Sequence, residues 1–156
     1  RDGRPLARFT NADEISIWSM ESAARFKLGL NWVFSTQLAW AYGQNERTDE
    51  PADGVPPLFG SALLHWNSDD DRLTFEPYVE WAAAQRRPGE GDELNPLQGR
   101  ETAGWISYNA RMQLEVTRYI RVLLEGRNLS DLRYRRHGST EYEPGRSFCA
   151  TLQLHF

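Results

Sequence analysis

The stretch PGRSFCATLQLHF, residues 144–156, decides how the chain is read. Phe148, Ala150, Leu152, Leu154 and Phe156 alternate strictly with Cys149, Thr151, Gln153 and His155. An apolar period of two describes a strand whose two faces meet different surroundings. One face suits lipid or a core, and the other is small and polar.

Upstream, the same period recurs six times. A first strand runs from Ile15 to Leu28, with Trp18, Met20, Ala24, Phe26 and Leu28 opposite Ser19, Glu21, Ala23, Arg25 and Lys27. After a tight turn at Gly29 to Asn31, Trp32, Phe34, Thr36, Leu38, Trp40 and Tyr42 form the apolar row of a second. The polar connection GQNERTDEPADGVPP follows, and its prolines and glycines predict no regular structure. A third strand spans Leu58 to Trp66 and a fourth spans Leu73 to Arg86. Pro77 has no N–H for a ladder, so a bulge or irregularity is expected there. A second long connection, RPGEGDELNPLQGRETAG, leads to a fifth strand carrying Ile106, Tyr108, Ala110, Met112 and Leu114 outward. A turn at Glu115 to Arg118 separates it from a sixth with Ile120, Val122 and Leu124 outward, and a third long connection covers Asn128 to Pro144.

Short and long connections therefore alternate, which is the pattern of a membrane barrel with periplasmic turns and extracellular loops. Arg25, Lys27, Glu76, Glu80, Arg111, Arg121, Glu125 and Arg127 fall on the rows opposite the apolar ones. A dry interior does not bury that much unpaired charge, so a wet or plugged lumen is implied. The fold class expected is all-β, an antiparallel up-and-down meander of about seven strands. An odd count puts the two ends of the meander on opposite sides, whereas a closed bacterial barrel has an even one. RDGRPLARF at the start lacks the apolar stretch of an export signal. The chain is accordingly read as mature, or as a fragment beginning partway through a longer protein.

Composition narrows the functional classes. Hydrophobic residues make up 40% of the 156 residues, the mean hydropathy is −0.66, and no apolar run approaches the roughly 18 residues of a spanning helix. Strands remain possible, because only alternate residues face lipid. Aromatics reach 12%, with six Trp set in or at the ends of the strands, as interfacial girdles require. A net charge of −4 offers no footprint for nucleic acid. The single Cys149 excludes an internal disulfide and a thiolate metal cluster, and reads as a small lumen-facing residue. His65, His137 and His155 stand far apart with no ligand at metal spacing, and no nucleophile elbow or phosphate loop is present. No catalytic site, metal or cofactor is expected.

The final third carries more than architecture. LLEGRNLSDLRYRRHGSTEYEPGRSFCATLQLHF resembles the C-terminus of TonB-dependent outer-membrane receptors, through Asn128, Leu129, Asp131 and Tyr134 of an NL-x-D-x-x-Y motif, then Pro144, Gly145, Arg146 and Phe156. Ile17 to Glu21 is similar to the family's I-x-G-x-E strand with Ser19 in place of Gly, and GRETAGWISYNARMQL is similar to the segment entering the antepenultimate strand. The resemblance implies a 22-stranded transmembrane barrel in the bacterial outer membrane, of which residues 1–156 are the last part, without the plug domain. It further implies TonB-energised uptake of a scarce nutrient such as a ferric siderophore, haem or cobalamin. The implied partners are membrane lipid and lipopolysaccharide, the barrel-assembly machinery, and the TonB system through the missing plug. Phe148, Leu152, Leu154 and Phe156 would form the closing-strand signal read during assembly.

The loop from Asn128 to Pro144 is the candidate ligand surface. Arg133, Arg135, Arg136 and His137 interleave with Tyr134 and Tyr142, a mixture suited to an anionic chelate through charge-assisted bonds. The competing reading is a solvated loop whose arginines pair with Asp131, Glu141 and Glu143, or with lipopolysaccharide phosphates. Asn128, Leu129 and Ser130 also spell a glycosylation sequon, read here as coincidence. Two other functions fit parts of the pattern. An outer-membrane hydrolase barrel needs an outward Ser and His, and a soluble β-sandwich also alternates but does not charge the face opposite its aromatics in every strand.

Overall fold

The computed structural model describes residues 14–89, 92 and 101–156. The segment RDGRPLARF and part of the second long connection lie outside them. Eight strands follow in order: β1 Ile15–Lys27, β2 Trp32–Asn45, β3 Glu50–Pro51, β4 Phe59–Asn67, β5 Leu73–Ala82, β6 Trp105–Thr117, β7 Ile120–Arg127 and β8 Ser147–Leu154. They form one antiparallel sheet ordered β1-β2-β4-β5-β6-β7-β8, with the two-residue β3 paired to the end of β2. Each long strand lies beside its sequence neighbour, the up-and-down meander that the alternation predicts. The short turns at 28–31, 68–72 and 118–119 lie at one end, and the connections 46–58 and 128–146, with the described parts of the second long connection, 83–89 and 101–104, lie at the other.

Register makes the two faces continuous. Directly opposed residues share a face, and the pairs Trp18↔Tyr42, Phe34↔Leu64, Trp66↔Phe75, Phe75↔Met112, Met112↔Leu124 and Val122↔Leu152 carry one row through seven strands. Read strand by strand, that outward face contains no charged side chain among the described residues. Its aromatics gather in two bands. Trp18, Trp40 and Tyr42 stand toward the long loops, with Trp40 stacked on Tyr42 at 6.3 Å. Toward the turns, Phe26 stacks on Phe34 at 6.3 Å and Trp32 meets Trp66 at 6.0 Å. Smaller residues such as Ala24, Thr36 and Ala62 fill the space between.

The opposite face holds the charge, and from β4 to β7 several of these groups pair with one another. His65 Nδ1 lies 2.9 Å from Glu76 Oε1, and Arg111 Nε lies 3.6 Å from the other oxygen of the same carboxylate. Arg111 covers the Tyr78 ring at 5.0 Å, the Tyr78 hydroxyl donates to Glu125 at 3.3 Å, and Arg127 pairs with Glu125 at 3.1 Å. Arg121 pairs with Glu115 nearer the turns. Cys149 is opposite Glu125 on this same inner face.

Three details differ from the sequence reading. The connection after Tyr42 is not wholly irregular, because β2 continues to Asn45 and β3 pairs with its last two residues. The fourth predicted strand stops at Ala82 instead of Arg86, and only Gln85 bridges onward, to Thr102. The turn predicted at Glu115 to Arg118 is tighter, since β6 runs to Thr117 with a register shift between Glu115 and Thr117. Arg72 accounts for that extension: its guanidinium donates to Glu115 O at 3.1 Å and Val116 O at 2.8 Å, satisfying carbonyls that the irregular ladder leaves free. The irregularity expected at Pro77 is present: the β4–β5 ladder is interrupted between Leu63↔Tyr78 and Trp66↔Phe75, opposite Pro77, and resumes in the same register. The missing N–H opens the ladder without inserting a residue.

In the 68–72 turn, Asp70 accepts from the Ser68 hydroxyl at 2.6 Å and from the Arg72 N–H at 3.2 Å. These bonds, the hydroxyl first, hold its carboxyl below the usual range. The bracing is complete above the ordinary carboxylate pKa and is lost as pH falls through the lowered one.

The face assignment has a direct test. Leu152→Arg puts a cation on the outward row and is expected to cost about 2–4 kcal/mol, while Gln153→Arg on the inward row changes little. Folding titrations into lipid vesicles read both, and equal tolerance would contradict the assigned faces.

Candidate ligand site at the barrel mouth

The long connections fold back across the inner face at their end of the sheet. Gly43 faces inward, and Ala52 and Val55 pack where its side chain would be, so residues 52–57 lie over β2. Gln85 Nε2 donates to Val55 O at 2.6 Å, and Gly54 N donates to Asp92 at 3.1 Å, which ties the second connection to the first. Thr102 Oγ1 sits 3.1 Å from His137 Nδ1, which ties the third to the second. The three connections thus form one mutually braced rim.

The third connection is shaped by the NL-x-D-x-x-Y residues. Asn128 and Asp131 adopt φ of 49° and 54°, a left-handed conformation that Asn and Asp tolerate better than other side chains. Asn128 is 3% exposed. Its backbone N–H donates to Asn109 Oδ1, its Nδ2 donates to Leu132 O and Pro144 O, and its Oδ1 accepts from Leu132 N. One amide therefore clamps both ends of the loop, and the sequon reading has no exposed amide to modify. Asp131 accepts from Arg146 N at 2.8 Å. Tyr134 is buried at 9%, with its ring 4.3 Å from that of Trp105.

Between this rim and the wall is a cleft of about 760 Å³, lined by Glu21, Gln37, Phe59, Glu80, Trp105 and Arg136 among others. Arg136 is its cation. The guanidinium is 5.5 Å from the Trp105 ring, its Nε is 3.2 Å from Glu143 Oε1, and its Nη2 is 3.9 Å from Glu80 Oε2. His137 also borders the cleft, but its ring is buried and its Nε2 stops 3.7 Å from Asp92, beyond hydrogen-bond distance.

The six residues singled out in the sequence consequently separate. Arg136 and His137 line the cleft, Tyr134 braces the loop from within, and Arg133 and Arg135 stand over the exposed Tyr142 ring at 4.1 and 6.0 Å without lining it. Trp105 and Glu80 belong to the cleft through inward positions on neighbouring strands. Trp105 carried a readable signal, since it precedes outward Ile106 and must face inward. No cluster of three metal-ligating side chains occurs among the described residues.

The chain superposes on solved structures of barrel receptors. The copper transporter OprC matches with a TM-score of 0.79 at 24% identity, over 91% of this chain and 23% of that one. A variant of the ferric enterobactin receptor PfeA from Pseudomonas aeruginosa gives 0.74 at 19%, over 90% and 22%. The ferric yersiniabactin uptake receptor FyuA from Yersinia pestis gives 0.74 at 14%, over 94% and 24%. No family profile and no curated protein matches the chain. The chain spans about a quarter of the length of these structures, all of them TonB-dependent outer-membrane receptors, and has the fold of their barrel wall.

Removing the loop clamp tests this description. Asn128→Ala leaves three backbone groups unpaired and is expected to cost about 3 kcal/mol of loop stability. Faster protease cleavage within 128–146, with the sheet still folded, is the expected result.

Proposed function

We propose that residues 1–156 supply the C-terminal barrel wall of a TonB-dependent uptake receptor in the bacterial outer membrane, and that this receptor is not an enzyme. The observation that carries the reading is the pairing of an uncharged outward face with a charged inward face across seven meander strands, with long connections folded over the inward side. A hydrolase barrel is disfavoured because the outward rows hold no histidine among the described strands. A plug domain, carried by a longer protein, would meet the inner face and couple it to TonB.

The nutrient would be met at the mouth, where Arg136 offers a guanidinium beside the Trp105 ring. Anionic metal chelates and haem propionates suit that combination through charge-assisted bonds and ring contact. Of the solved structures compared, one is named for copper, one for ferric enterobactin and one for ferric yersiniabactin. Uptake of labelled copper, ferric siderophores, haem and cobalamin by the full-length protein distinguishes among them. Arg136→Ala is expected to weaken uptake of the true ligand about tenfold, with Arg133→Ala near wild type. Correctly inserted receptor that takes up nothing in this panel would count against the reading.

Phe156, fully exposed at the turn end, is proposed as part of the signal read by the barrel-assembly machinery, together with Phe148, Leu152 and Leu154. Deleting Phe156 should lower the amount inserted while leaving ligand affinity of the inserted molecules unchanged. A loss of affinity with normal insertion would contradict it.

A further inference from the structure

The outward face has no charge of its own, yet one cation from the loops lies on its upper margin. Arg87, in the second long connection, places its guanidinium 4.3 Å from the centroid of the Tyr42 ring and donates to Gln44 Oε1 at 2.8 Å. Tyr42 and Gln44 belong to the outward row of β2, where they are directly opposed to Trp18 and Ser16 of β1. The Tyr42 hydroxyl also donates to Gln44 Oε1 at 3.1 Å, and Gln44 Nε2 donates to Asp49 Oδ1 at 2.7 Å. Asp49 therefore fixes the amide so that its oxygen faces Arg87 and the hydroxyl.

This arrangement has a specific physical meaning. A guanidinium has five N–H donors, and the contacts of Arg87 among the described residues are a ring face, an amide oxygen and its own backbone bond to Gln85, none to a carboxylate. It is exposed, held in a defined place, and set immediately above an aromatic band formed by Trp18, Trp40 and Tyr42. Aromatic bands mark the level where acyl chains give way to headgroups, and cations just beyond them meet lipid phosphates. Ligand recognition at the inward cleft does not use these residues, which lie on the other face.

We propose that Arg87, with Tyr42 and Gln44, forms a docking site for the phosphorylated headgroup of an outer-leaflet glycolipid, with its acyl chains lying along Trp18 and Trp40. The proposal rests on the barrel reading above. Charge complementarity selects the occupant: Asp49, the carboxylate of this cluster, is bonded to the Gln44 amide and not to Arg87, so the guanidinium stays open to an anionic headgroup, and the aromatic band below matches its chains. Nothing comparable projects from the described outward rows.

The test uses the full-length protein in nanodiscs containing bisphosphorylated lipid A, the same lipid without its phosphates, or phosphatidylcholine alone. Bound lipid A is counted by native mass spectrometry for wild type, Arg87→Glu, Arg87→Lys and the inward-facing control Arg111→Gln. Retention of bisphosphorylated lipid A is expected to fall about tenfold in Arg87→Glu, to survive in large part in Arg87→Lys, and to be unchanged in Arg111→Gln. Wild type should prefer the phosphorylated lipid, and inorganic phosphate at millimolar concentration should not displace it. Equal retention by wild type and Arg87→Glu, both inserted, would overturn the site alone. Failure of wild type to insert into any bilayer would overturn the barrel reading and the site with it.

Discussion

Register is the constraint on which the rest of this molecule depends. In a period-two strand, a slip of one residue exchanges the faces completely. A single slip between β5 and β6 would leave Glu76 in the lumen while setting Arg111 on the outward face and turning Met112 inward. The described ladders avoid this by remaining in step wherever a charged row is at stake. The one register shift lies at the very end of β6, where the ladder is about to turn and Arg72 is available to satisfy loosened carbonyls. The gap opposite Pro77 does not change the count. Irregularities are therefore admitted only where they leave the faces intact.

With the faces fixed, the inner network becomes understandable. Three carboxylates of the wall are met by a cation on a neighbouring strand or on their own: Glu76 by Arg111, Glu125 by Arg127 and Glu115 by Arg121, with His65 also within hydrogen-bond distance of Glu76. Charge in a confined polar lumen costs less when paired and hydrogen-bonded, and cross-strand pairs also reinforce the register that created them. The same logic continues at the mouth, where Glu80 and Glu143 share Arg136. A ligand anion reaching Arg136 would compete with these two carboxylates, which makes the cation adjustable in place.

How much of this was legible in the sequence follows from the range of each interaction. Strand identity and facing were readable, because alternation is a local property and the rows of Trp18, Phe75 and Leu152 declare themselves within a few residues. Strand ends were less so. β2 outlasts its apolar row to reach Asn45 because β3 pairs with it, and β6 reaches Thr117 because Arg72, 43 residues away from Glu115, bonds the carbonyl there. Tyr134 was grouped with its basic neighbours by proximity in the chain. Its burial depends on Trp105, which no local pattern connects to it. The motif residues Asn128 and Asp131 were recognisable as a signature, but their work as a clamp is visible only once both ends of the loop are in space.

The spacing of the two aromatic bands sets a thickness. On β1 they are marked by Trp18 and Phe26, eight residues apart, which at about 3.3 Å per residue and a tilt near 40° corresponds to roughly 20 Å along the membrane normal. A hydrocarbon layer of about 30 Å would overrun both bands, pulling lipid inward or drawing polar strand ends into apolar surroundings at a cost for each ångström of mismatch. The bacterial outer membrane is thinner than average. In the proposed barrel the wall would match a thin bilayer by length as well as by polarity.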